Sequence, residues 1–141
     1  MIALRTSTCV IALNSMVAAV SMMARAADET LTLACQGTAN MTGIGDTGPV
    51  SMGLVVDLRA RTVAGFREQF TNYQMPLKIT QVKEEVLVLG GQLDLPGRSI
   101  MDLSGFMDRM TGDMTVTATQ RPPVVFTKTY SLKCTPAQRM F

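Results

Sequence analysis

Apolar and polar residues alternate with period two along most of the chain, the pattern of strands that bury one face. Leu31, Leu33 and Cys35 share a side of the first run, with Thr30, Thr32 and Ala34 on the other. Val50, Met52, Leu54, Val56 and Leu58 form the longest run, opposed by Ser51, Gly53, Val55, Asp57 and Arg59. Met114, Val116 and Ala118 alternate with threonines, and Val124, Phe126, Tyr130, Leu132 and Cys134 form a last apolar side that only Lys128 breaks. Shorter strands are predicted near 62–66, 77–82, 86–91 and 99–107. The run Val86 to Leu89 has no polar alternate, which predicts cover on both faces. Segments 37–49 and 67–76, Leu95-Pro96-Gly97 and Arg121-Pro122-Pro123 read as the connections. About eight short strands with tight connections predict an all-β fold, a small antiparallel barrel or sandwich.

One segment fits two periods. Ile100, Leu103, Phe106, Met107 and Met110 match helical spacing, and Ser99 with Asp102 resembles a capping box. Gly105 in its middle and Thr111-Gly112-Asp113 as a hairpin turn favour a strand.

The first residues follow a different rule. After Arg5 no charge appears until Arg25, and Ala24-Arg25-Ala26 places small residues where signal peptidase inspects the chain. Residues 1–26 are therefore expected to be a signal peptide cut between Ala26 and Ala27, leaving one β domain over 27–141. An uncleaved anchor is the alternative, weakened by Thr6, Ser7, Thr8, Asn14 and Ser15 within the apolar stretch.

Processing would remove Cys9 and leave Cys35 and Cys134, which in an oxidising compartment have one possible pairing. Both sit on inward positions of the first and last strands by parity. The expectation is that these strands are neighbours and that a disulfide closes the sheet.

Charge and composition then exclude functions. Of the 13 basic residues two leave with the signal peptide, so the mature domain balances its 11 acidic residues. A neutral chain with scattered cations lacks the electrostatic footprint of a nucleic-acid binder or a polybasic membrane anchor. The absence of His removes the commonest general base and, with both cysteines oxidised, most zinc chemistry. The methionines Met101, Met107, Met110 and Met114 could serve a soft metal, but they read as core filler. Gly43-Ile44-Gly45-Asp46-Thr47-Gly48 has the spacing of a dinucleotide fingerprint in the wrong context, because Pro49 and a strand follow. No cofactor and no metal are expected.

The stretches Gly105 to Asp113 and Leu132 to Phe141, with Leu31 to Gly37, resemble a group of small exported alphaproteobacterial proteins of unknown function. That resemblance implies a paired-cysteine β domain in the periplasm and carries no activity.

The expected function is that of a non-catalytic periplasmic or secreted protein that binds an unknown small molecule or envelope protein through its loops. Phe70 and Tyr73, with Asp108 and Arg109, are the candidate interaction residues. Two alternatives stand beside it: an inhibitor that plugs a hydrolase with the 67–76 loop, and a carboxylate enzyme using Asp108 and Asp113.

Overall fold

The computed structural model describes residues 30–137. The expected signal peptide and its Ala26/Ala27 cut lie outside the described residues. Eight strands follow one another: β1 (Thr30–Met41), β2 (Gly45–Asp57), β3 (Thr62–Ala64), β4 (Leu77–Val82), β5 (Val86–Leu95), β6 (Ser99–Asp108), β7 (Asp113–Gln120) and β8 (Phe126–Pro136). Each is antiparallel to the next, and β8 pairs back onto β1, so the sheet closes into a barrel rather than splitting into a sandwich.

Parity explains the closure. Leu33, Cys35, Leu54, Val56, Leu87, Leu89, Val116 and Leu132 are buried, while the intervening Thr, Ser, Gln and Asp positions face out. A polar outside around an apolar inside is the reverse of a membrane-spanning barrel. Cys35 stands opposite Cys134 in the β1–β8 register, and the two form a disulfide. Their Cα atoms are 4.0 Å apart, slightly closer than the span of about 4.4–6.8 Å usual for such bonds. The reason is their place in the ladder. The Cys134 N–H donates to Gly112 O on the far side, so the cysteines form a non-hydrogen-bonded pair, the narrower kind.

Residues 99–108 are a strand throughout. The helical spacing of Ile100, Leu103, Phe106, Met107 and Met110 mixes the two faces of this strand: Leu103 and Met107 are buried, whereas Met110 lies exposed in the turn that follows and Phe106 faces outward half exposed. Gly105 is required there, because a Cβ would lie 2.2 Å from Thr115 O across β6 and β7.

Three other expectations need correction. Segment 37–49 is mostly strand: β1 runs to Met41 and β2 starts at Gly45, because the polar residues there are outward alternates and a register shift at Ala39/Asn40 absorbs the glycines. Val86 and Val88 are not covered on their outer face; they are half-buried on a wall that faces solvent, and only Leu87 and Leu89 enter the core. Val124 lies in an exposed loop, and the last strand begins at Phe126.

An up-and-down barrel places alternate connections at opposite ends. The upper end carries turn 42–44, the 65–76 loop, turn 96–98 and the 121–125 loop; the lower end carries 58–61, 83–85 and 109–112.

Candidate functional site at the loop-covered mouth of the barrel

Lys128 occupies an inward position of β8 and is 1% exposed. An ammonium inside an apolar barrel demands a partner, since an unpaired buried charge costs several kcal/mol. The 65–76 loop brings it. At Gly65, with φ at +90°, the chain bends away from β2, passing so close that a Cβ would lie 2.2 Å from Gly53 O. Hairpin pairing then continues through Met75 N–H to Phe66 O and Glu68 N–H to Tyr73 O. Phe66 and Met75 are buried in the mouth, where Phe66 packs edge-on against Tyr130 with ring centres 5.2 Å apart. Glu68, two residues beyond Phe66, shares its inward face.

The Glu68 carboxylate does two jobs. Oε1 accepts from Lys128 Nζ at 2.7 Å. Oε2 accepts the N–H groups of Phe70 and Thr71 and the Thr71 hydroxyl at 2.6–2.8 Å, which shapes the loop tip. Burial pushes the Glu68 pKa up, but the Lys128 ammonium and the Thr71 and Phe70 donors outweigh it and bring it down to about 2. The Lys128 ammonium also lies 4.3 Å from the centre of the Phe70 ring. Gln69 ties the tip to β2: its Oε1 accepts from the Thr47 hydroxyl, and its Nε2 donates to Thr47 O.

Tyr130 is fully buried behind this loop, and its hydroxyl has no hydrogen-bond partner. Burial and the Glu68 charge raise its pKa to about 12; the Gln69 backbone, near but outside bonding geometry, pulls weakly the other way.

Beside the latch lies a hollow of about 260 Å³ whose walls are almost wholly apolar, with Met41, Met75, Leu93 and Phe126 inside and Phe70 and Tyr73 at the rim. Phe70 and Tyr73 are 66% and 57% exposed, and Ile44, Val124 and Val125 expose further apolar surface at the same end.

Asp108 and Arg109 do not join Phe70 and Tyr73; they lie at the lower end, where a second hollow of about 410 Å³ opens among Leu31, Leu58, Met110 and neighbours. Asp108 Oδ1 accepts the N–H groups of Met110 and Thr111 at 2.8 Å, which folds the hairpin turn. The Arg109 guanidinium donates to Lys83 O and Glu84 O, tying two lower turns together. Asp113 accepts from the Thr111 hydroxyl and pairs with Lys133 at 3.0 Å. The Thr111 amide holds the Asp108 pKa below its usual value, and the Thr111 hydroxyl followed by Lys133 lowers that of Asp113. Both carboxylates are engaged by turn donors that favour the charged form, the role of side chains that fold a hairpin turn.

Met107 and Met114 stand opposite each other in the core, while Met110 is exposed in the turn. Gly43, Gly45 and Gly48 all have positive φ, in the turn and first residues of β2, and a strand follows.

Sequence reasoning marked Lys128 as an anomaly but did not find the latch. Its partner is sixty residues away, and no local pattern specifies that distance. No family model matches this chain, and no match was found among curated proteins or solved structures.

Proposed function

We propose that this chain is an exported, non-catalytic binding protein that engages its partner at the upper end of the barrel. The observation that carries this reading is the apolar hollow rimmed by Phe70 and Tyr73 on a loop already fixed by the Glu68–Lys128 pair. Aromatic side chains on a rigid support are the usual anchors of interfaces, and a loop ordered beforehand loses little freedom on binding. The same exposed rings support a second reading, in which the loop enters the cleft of a hydrolase and inhibits it. The Cys35–Cys134 disulfide supports an oxidising compartment, periplasmic or extracellular.

The test is site-specific photo-crosslinking in the cell envelope. A photoreactive residue at position 73 should capture a discrete partner, and one at position 110 should not. Capture of a hydrolase whose activity falls on addition of the protein would select the inhibitor reading. Crosslinking confined to position 110 would refute the upper-end assignment. Mass analysis of the recovered protein should give a chain starting at Ala27; full-length chain in the membrane fraction would contradict export by a cleaved signal.

A further inference from the structure

The barrel wall has a gap. β2 runs from Gly45 to Asp57, yet β3 pairs only with Val55, Val56 and Asp57. The ladder fixes which backbone groups of β2 face the gap. Ala137 N–H donates to Thr32 O, so even-numbered residues of β1 address β8 and odd-numbered ones address β2. Cys35 is opposite Met52 and Leu33 opposite Leu54, which directs the N–H and C=O of Met52 and Leu54 to β1. Those of Ser51 and Gly53 therefore point into the gap. Across it, Phe66 and Glu68 use their backbone groups within the hairpin, which turns those of Arg67 toward β2. Among the described residues nothing hydrogen-bonds to the backbone of Ser51 or Arg67 or to Gly53 N–H on these sides, while Gly53 O is covered by the close approach of Gly65.

The gap encloses about 460 Å³ between residues 49–53 and the 67–72 segment. Gly65 against Gly53 closes its lower limit. At its upper limit the Gln69 side-chain amide donates to Thr47 O and Pro49 O, occupying backbone acceptors that a neighbouring strand would use.

We propose that this slot takes an extended peptide segment of another protein, added as a short strand between β2 and the hairpin. Unpaired strand edges are templates for such addition, and here Ser51 and the Gly53 N–H on one side and Arg67 on the other offer unpaired backbone groups. Charge selects the chemistry of the partner. Arg67 is exposed at the slot, bonded to Asn72 Oδ1, and belongs to none of the ion pairs among the described residues, so the segment carries an acidic side chain beside it.

The experiment titrates the mature protein with three synthetic pentapeptides and follows backbone amides by NMR: acetyl-Val-Thr-Asp-Val-Thr-amide, the same peptide with Lys for Asp, and the Asp peptide N-methylated at alternate residues. The Asp peptide should shift the amides of Ser51, Gly53 and Arg67 and slow their hydrogen exchange. The Lys and N-methylated peptides should bind at least about tenfold more weakly, and Arg67→Glu should reverse the Asp/Lys preference. Ser51→Pro removes a donor that the β1–β2 ladder does not use and should abolish binding, with the N-methylated peptide testing the same bond should that variant not fold. Equal binding of the N-methylated peptide, shifts confined to the aromatic rim, or no shift with any peptide overturns the proposal. Concentration-dependent protection of these amides without peptide would assign the edge to self-association and overturn it equally.

Discussion

At Lys128 and Glu68 the two partners of one ion pair differ in what they can do without each other. The Lys128 side chain is 2% exposed and that of Glu68 17%, so only the carboxylate can turn to water. Glu68→Ala should cost about 3–5 kcal/mol in urea unfolding, because it strands a buried ammonium. Lys128→Met should cost markedly less, and the double variant should resemble Lys128→Met alone. Protonation reproduces the loss of the carboxylate. Because the folded pKa of Glu68 is lowered to about 2 from 4.5, its stabilisation is complete above about pH 4.5 and fades as pH falls toward 2. That acid-side loss should be flattened in Glu68→Gln. Tyr130 makes the opposite case. Its hydroxyl is buried without a partner, so Tyr130→Phe should leave stability unchanged or raise it by up to about 1 kcal/mol. A loss above about 1 kcal/mol would reveal a hydrogen bond to internal water.

Between elements, parity carried most of what could be read in advance. The inward faces of β1, β2, β7 and β8, the turn at Asp108 and the disulfide follow from alternation and turn chemistry, both local properties of the chain. Strand lengths did not. In 37–49 and 67–76, Gly, Thr and Asn mark a loop, an outward strand face or a bulge equally well, and the choice depends on the neighbouring strand. The hairpin beyond β3 shows this dependence. Gly65 lets it leave the wall, opens the gap beside β2 and swings Glu68 over the mouth. Gly65→Ala must accommodate both positive φ and a 2.2 Å approach to Gly53 O. It should destabilise the barrel by more than about 2 kcal/mol and make the 67–73 segment the first site cut in limited proteolysis. Unchanged stability and protection would mean that the hairpin is positioned by Gln69 and the latch alone.

For the molecule as a whole, closure depends on the β1–β8 seam, because these are the first and last strands of the barrel. Every other pairing joins consecutive strands, whose contacts form at low entropic cost because no connection exceeds the twelve residues of 65–76. The seam must bring together residues 99 positions apart, and the disulfide sits at that junction. In the chain-entropy account, cross-linking a loop of this length stabilises a fold by about 4–5 kcal/mol, comparable with the net stability of a small domain. Reduction should therefore lower the thermal midpoint by at least about 10 °C, since 1 kcal/mol corresponds to roughly 4–8 °C for such a domain. Cys35→Ser, Cys134→Ser and the double variant should fall by similar amounts, because each removes the same bond. Hydrogen exchange locates the effect: amides of β1 and β8 that bond across the seam should lose protection first on reduction, while the β5–β6 hairpin keeps its own. If reduction left the midpoint and the seam amides unchanged, the side-chain core of Leu33, Leu54, Val116 and Leu132 would be sufficient to close the barrel, and the cysteines would be dispensable to the fold.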